Sequence, residues 1–255
     1  MNGSYMSNVC KTTILFCCLA LLCASCTLNN KCIMKTHSSS NFNERKYPIT
    51  MIVLHYTAIS TCEESLARLC DTTNEAGRVS AHYLVNRDGR ILNLVDESMR
   101  AWHAGVSSWK GLNDINSRSV GIEIVNEGLT ADGKREPYPV EQIVAVIKLC
   151  KDIQSRYSIR YVLGHGDVSP GRKQDPGENF PWRTLAAAGV GIWTDDFADP
   201  KKSVTEMLSA IGYDTSDVEK AVVAFQRHWY QEAITEGATN TVGRVAAIYN
   251  LIDKE

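Results

Sequence analysis

The chain of 255 residues carries almost no excess charge: 27 Lys and Arg against 29 Asp and Glu leave a formal net charge of −2, with no basic run. Nucleic-acid binding rests on phosphate neutralisation, so it has no electrostatic support here. No Cys-x-x-Cys pair is followed by a second, which removes a cysteine-based structural zinc site. Cysteine is scarce in the body, where only Cys62, Cys70 and Cys150 remain after six in the first 32 residues. Cys62 and Cys70 fall on one predicted helix, about 12 Å apart along its axis, so a disulfide framework is not expected there. A compact His-x-x-x-His signature is also missing. The longest apolar run near the start, Thr12 to Leu22, is too short to cross a bilayer. A hydrophobic content of 44% with 22% charge excludes wholesale disorder, and the length allows one large domain or two modest ones.

What is present begins with an export signal. Lys11 precedes the Thr12–Leu22 run, which ends in Cys23-Ala24-Ser25-Cys26. Small residues before a cysteine resemble the bacterial lipobox, although Cys23 stands where Leu is usual. Residues 1–26 are therefore expected to be a lipoprotein-type signal peptide with Cys26 acylated, plain cleavage and release being the alternative. Acylation implies a lipid anchor and an envelope location, periplasmic and at the outer membrane. Residues 27–43, rich in Ser and Asn, are expected as a tether.

Beyond the tether the pattern is mixed α/β. Ile49 to Leu54 is a β-branched, apolar run typical of a buried strand. A Ser60/Glu63 capping box predicts a helix over Cys62 to Cys70. Ala81–Val85 and Arg90–Val95 flank Asp88-Gly89 as a hairpin, and Ser119–Val125 alternates with a period of two. Ile143, Val146, Ile147, Cys150 and Ile153 form the apolar stripe of a helix from Pro139 to about Tyr157. Ile159–Leu163 reads as another strand, and Gly164–Trp182 as a long irregular, functional loop. After Trp193 the composition shifts. Residues 194–203 read as a linker, and helical patterns follow at Val204–Ala210, Asp217–Ala233 (capped by Ser216 and Glu219) and Thr241–Ile252. Two domains result, 44–193 and 204–255.

His55 and His165 each end a predicted strand, and Asp175 lies ten residues on in the irregular loop. Strand ends in α/β folds project into one crevice. Two imidazoles and a carboxylate form a catalytic zinc donor set, but a lone strand-end histidine is more often simply hydrogen-bonded. Spacing does not choose between these. Glu123 lies on the face of its strand opposite Val120, Ile122 and Ile124. It is either a half-exposed acid or a cleft carboxyl fit for proton transfer, and pattern leaves both open.

The ordered blocks LHYT, AHYLVNRDGRI, AWHAG, SVGIEIVNEG and GHGDVSPGRKQDPG with FPW resemble the zinc-dependent N-acetylmuramoyl-L-alanine amidases of the AmpD and AmiD kind, over Tyr47 to Trp193. The resemblance implies a mixed β-sheet flanked by helices, of the amidase and peptidoglycan-recognition type. It implies one Zn²⁺ held by His55, His165 and Asp175, with Glu123 as general base and Lys173 as oxyanion donor. The substrate would be peptidoglycan or muropeptides, cut between N-acetylmuramic acid and L-alanine, by a monomer. Tyr56, His82, Trp102 and His103 fall in blocks lining the cleft and are assigned substrate-contact or supporting roles. The tail, with Ala210–Asp214 and Ala221–His228, resembles a three-helix peptidoglycan-binding module. A non-catalytic wall-binding lipoprotein is the rival reading. Ser107-Ser108-Trp109-Lys110 also matches S-x-x-K, the nucleophile pattern of penicillin-binding proteins, without a K-T-G partner.

Overall fold

The aliphatic runs Met51–Tyr56 and Ser119–Ile124 pair in parallel along their whole length and form the centre of a six-stranded sheet. The computed structural model describes residues 33–34, 38–74 and 77–252, and there the strand order is Ile33–Met34, Ile91–Asn93, Tyr83–Val85, Ser119–Ile124, Met51–Tyr56, Tyr161–Gly164. The Tyr83–Val85/Ile91–Asn93 hairpin is antiparallel and the other pairs are parallel, so the sheet is mixed, as expected. Residues 1–26, expected as a signal segment with Cys26 at its end, lie outside the described residues.

Alternation along the strands divides the core in two. Ile52, Leu54, Val120, Ile122, Ile124 and Val162 face the helix Val140–Arg156, whose Ile143, Val146, Leu149, Cys150 and Ile153 complete one apolar layer. Fully burying each such side chain contributes roughly 1.5–3 kcal/mol. On the opposite face Met51, Val53 and Leu163 join Trp109 and Ile115 in a second layer. The helices Val204–Ile211, Val218–Trp229 and Thr241–Ile252 close that layer with Leu208, Phe225, Trp229 and Ile248. The composition shift after Trp193 is therefore not a break in the core.

Four local expectations are corrected. Residues 38–43 are not a free tether: Ser39 Oγ donates to Leu69 O, Asn41 Nδ2 donates to Asp71 O and Val79 O, and Phe42–Glu44 pairs with Met99–Ala101. The polar side chains there satisfy buried carbonyls, which an apolar pattern cannot reveal. Thr61, not Ser60, caps the helix Cys62–Cys70 by accepting from Glu64 N. Asp217, not Ser216, caps Val218–Trp229, where its carboxylate also meets the positive helix end. That helix stops at Trp229, and a separate turn, Glu232–Thr235, follows.

One buried polar cluster locks the C-terminal helices to the sheet. Asp167 Oδ2 accepts from Gly164 N at 2.7 Å and from His228 Nδ1 at 2.6 Å, while Tyr213 OH donates to Oδ1 at 2.5 Å. The His228 ring is stacked between Trp182 and Trp229, with centroids 3.7 and 3.8 Å away. Removing one partner of such a buried pair strands the other, at a cost of about 3–5 kcal/mol. Urea denaturation of His228→Ala should show a loss of that size. Asp217→Ala, which removes an exposed cap and an exposed ion pair with Lys220, should lose only about 1 kcal/mol. Equal losses would place the anchor elsewhere.

Candidate metal centre and substrate cleft

The parallel register sets His55 directly opposite Glu123, so both side chains leave the same face at the same end of the sheet. On the other side of Met51–Tyr56, Gly164 pairs with Leu54, and the chain turns at once into the helical turn His165–Val168. The following loop folds back until Asp175 O accepts from Gly166 N at 2.9 Å. Three side-chain atoms distant in sequence are thereby brought together. His55 Nδ1 lies 3.0 Å from His165 Nδ1, and Asp175 Oδ2 lies 3.1 Å from each. The residues are 1%, 4% and 7% exposed respectively.

The partners of the other ring nitrogens fix where the protons are. His165 Nε2 is 3.1 Å from Ala104 O, an acceptor only, and 3.3 Å from Arg172 Nη2, whose protons go to the closer Ala104 O, Val106 O and Ser169 Oγ, so the proton sits on Nε2 and Nδ1 offers a lone pair. His55 Nε2 is 3.0 Å from His103 Nδ1, and His103 Nε2 is 3.2 Å from Ser119 Oγ, which donates to Ile115 O at 2.6 Å. Read back from that carbonyl, every donor is committed: Ser119 to Ile115, His103 to Ser119, His55 to His103. His55 Nδ1 therefore also offers a lone pair. Two lone pairs and a carboxylate oxygen meet with no proton between them, an arrangement that a cation satisfies.

Charge states agree with this. Burial, then the neighbouring His165, lowers His55 to about 4. His103 is held well below the usual histidine range by burial and then by His55. Burial would raise the Asp175 carboxyl, but the two imidazoles beside it, His165 first, hold it well below the usual carboxylate range. Glu123 goes the other way, pushed well up by burial and then by the Asp175 carboxylate. Its Oε2 is enclosed and has no hydrogen-bond partner.

The remaining candidates separate. Tyr56 and the exposed Lys173 line a cleft of about 650 Å³ that reaches Asp175. His82 has no exposed surface, so a substrate contact is replaced by a supporting role: its Nδ1 accepts from Gly121 N and its Nε2 faces Met99 O. His103 is likewise behind the site rather than lining it. Its ring lies on Gly121, where a Cβ would come within 2.4 Å of Cγ, so only glycine admits it. Trp102 donates through Nε1 to Asn43 Oδ1 and stacks under Arg78, outside the cleft lining. The S-x-x-K pair is not assembled: Ser107 Oγ donates to Gly105 O, and the Lys110 ammonium lies over the Tyr161 ring. Cys62, Cys70 and Cys150 are free thiols, as expected.

The family profile described as N-acetylmuramoyl-L-alanine amidase matches residues 45–178, more than half of the chain. The chain belongs to this amidase family. The curated amidase AmiD of Escherichia coli is 37% identical over 215 residues, covering 72% of this chain and 76% of AmiD. The solved complex of that AmiD with anhydro-N-acetylmuramic acid-L-Ala-D-gamma-Glu-L-Lys superposes with a TM-score of 0.70 at 32% identity, covering 85% of this chain and 98% of the other. AmpDh3 from Pseudomonas aeruginosa gives 0.69 at 33% identity, covering 87% and 99%.

The amidase site includes groups that the sequence pattern did not single out. Ser119 and Ala104 O orient the two imidazoles, yet neither residue type marks such a role. Arg45 fills the space behind His82 and donates to five backbone carbonyls, those of Glu97, Met99, Asn116, Ser117 and Ser119. Burial lowers it to about 10.

His55 and His82 (lowered to about 3) are neutral in the fold, whereas ordinary histidines titrate near 6.5. The unfolded chain therefore binds more protons below that pH, and stability must fall as pH falls. Thermal melts with a chelator present should be level above about pH 7. They should drop progressively from about 6.5 to 4, and melts independent of pH over that window would contradict the assignment of neutral imidazoles.

Proposed function

We propose that the chain is a zinc-dependent amidase that hydrolyses the amide between the lactyl group of N-acetylmuramic acid and L-alanine in peptidoglycan or its fragments. The observation that carries this reading is the convergence of the His55 and His165 Nδ1 lone pairs with Asp175 Oδ2 at 3.0–3.1 Å. Those three residues form the group of His, Cys, Asp and Glu side chains able to hold a metal among the described residues. The separations suit neighbouring ligands of one ion bound at about 2.0–2.1 Å, and the donor set is that of catalytic rather than structural zinc. When bound, zinc supplies Lewis acidity that polarises the scissile carbonyl and eases deprotonation of water at neutral pH.

The protein's own groups do the rest. Glu123, opposite His55 and with an unpartnered oxygen, takes the proton of the attacking water and returns it to the departing L-alanine nitrogen. A raised proton affinity suits a carboxyl that must accept and then give back a proton, and a nearby cation offsets part of the Asp175 repulsion. Lys173, two residues from Asp175 and at the cleft surface, donates to the oxygen that becomes negative as the carbonyl is attacked. His103 and Ala104 O hold the imidazoles in the ligating tautomer. Tyr56 lines the path of the substrate.

Around this centre we infer an anhydro-muropeptide or intact wall strand as substrate and an envelope location, with Cys26 as the lipid attachment point. The helices of 204–255 act as a wall-contacting module. All the site's groups come from one chain, which fits a monomer.

Muropeptide digestion followed by mass spectrometry should show release of the stem peptide that stops with a chelator and returns with zinc. Glu123→Gln should lower kcat by about 10²–10⁴ and Lys173→Ala by about 10²–10³, with zinc still bound in both. A zinc-loaded protein that releases no stem peptide would defeat the enzyme reading.

A further inference from the structure

The cleft beside Asp175 is walled from both ends of the chain. One wall is Tyr56 and the loop bearing Lys173, and the other is the face of the helix Val218–Trp229 that carries Lys220, Val223 and Arg227. Residues three, four and seven apart share one helix face, so these three project together into the cleft.

This wall is built into the structure. Arg227 Nε donates to Glu178 Oε1 at 2.8 Å, and Arg135 Nε lies 3.1 Å from Glu178 Oε2. The Glu178 side chain is 3% exposed, and this one carboxylate serves two guanidiniums. Arg135 Nη1 is enclosed and has no hydrogen-bond partner. The hydrocarbon stem of Lys220 lies across Gly171 of the metal loop. Gly171 has φ +72°, which favours glycine, and a Cβ there would come within 2.1 Å of Lys220 Cδ, so any larger residue would displace the Lys220 chain. The Lys220 side chain lines the cleft, and its ammonium pairs with Asp217 of its own helix at 2.6 Å, both side chains being about half exposed. An exposed pair of that kind exchanges readily for a better acceptor. Glu219 also lines the cleft. Among the lining residues the cations Arg172, Lys173, Lys220 and Arg227 outnumber the carboxylates Asp175 and Glu219.

We propose that this helix is a wall of the substrate site and that Lys220, backed by Arg227 and Arg135, is a specificity determinant for a free carboxylate on the stem peptide. The proposal rests on the amidase reading. A glutamate joined through its γ-carboxyl keeps its α-carboxylate free, one residue beyond the L-alanine that is released. That anion meets a charge-assisted donor in Lys220, whereas an amidated side group does not. The preferred substrates are then stems with an acid, not an amide, at the second position.

The test uses the full-length, zinc-loaded protein and two muropeptides that differ only in whether the α-carboxyl of the second stem residue is free or amidated. The wild type should favour the free acid in kcat/KM by roughly 5- to 10-fold, mostly through KM. The ratio should fall toward 1 in Lys220→Gln and below 1 in Lys220→Glu, in which the melting temperature reports on folding. A wild type that cuts both substrates equally overturns the proposal and leaves the amidase reading standing. A ratio unmoved in folded Lys220→Glu does the same. A wild type that cuts neither overturns both.

Discussion

Two imidazole lone pairs and a carboxylate oxygen held within 3.1 Å of one another repel unless a cation lies among them, and much of the fold serves to keep them there. Each imidazole is fixed from behind. His165 gives its proton to a backbone carbonyl, and His55 gives its proton to a chain that ends on another carbonyl, through His103 and Ser119. Side-chain acceptors could rotate or titrate, but a carbonyl can do neither. The tautomers are therefore set by the backbone before any metal binds, which lowers the reorganisation that binding requires.

That arrangement depends on the sheet. His55 and Glu123 face each other because their strands pair in parallel without a slip, and a shift of one residue would turn both to the other face. His103 reaches His55 because Gly121, two residues before Glu123, has no side chain. The turn that carries His165 is held by Asp167, and Asp167 is held in turn by Tyr213 and His228 from the C-terminal helices. The tail thus supports the turn that carries His165 while another of its faces lines the cleft. The body and the tail share an apolar layer as well as these polar contacts.

Local periodicity made the elements legible. The Ser119–Ile124 strand and the Val140–Arg156 helix lie within a residue or two of their predicted positions, because patterns of 2 and 3.6 are properties of neighbouring residues. The triad was not legible in that way. Residues 55, 165 and 175 have no common spacing, and only strand register joins them, so their roles came from resemblance to a family of ordered motif blocks. His103 and His82 were read as cleft-lining because their blocks belong to the site. Their burial depends on a glycine on one strand and an arginine far away in sequence, Arg45, which no local pattern links to them. The paired segment 38–44 escaped notice for a related reason: its Ser and Asn side chains satisfy distant carbonyls. The amphipathic stripe of Val222, Phe225 and Trp229 shows that a helix face is buried, but not that it is buried against the sheet that bears His55 and Glu123.

The proposed centre is a single metal held by two histidines and one aspartate, with the body's cysteines uninvolved. Zinc K-edge X-ray absorption on the purified full-length protein, together with metal analysis, tests it directly. One zinc per chain in a shell of nitrogen and oxygen, with scattering from two imidazoles, is the predicted result. Sulfur in that shell, or a protein that retains no zinc when His55, His165 and Asp175 are all intact, would contradict it.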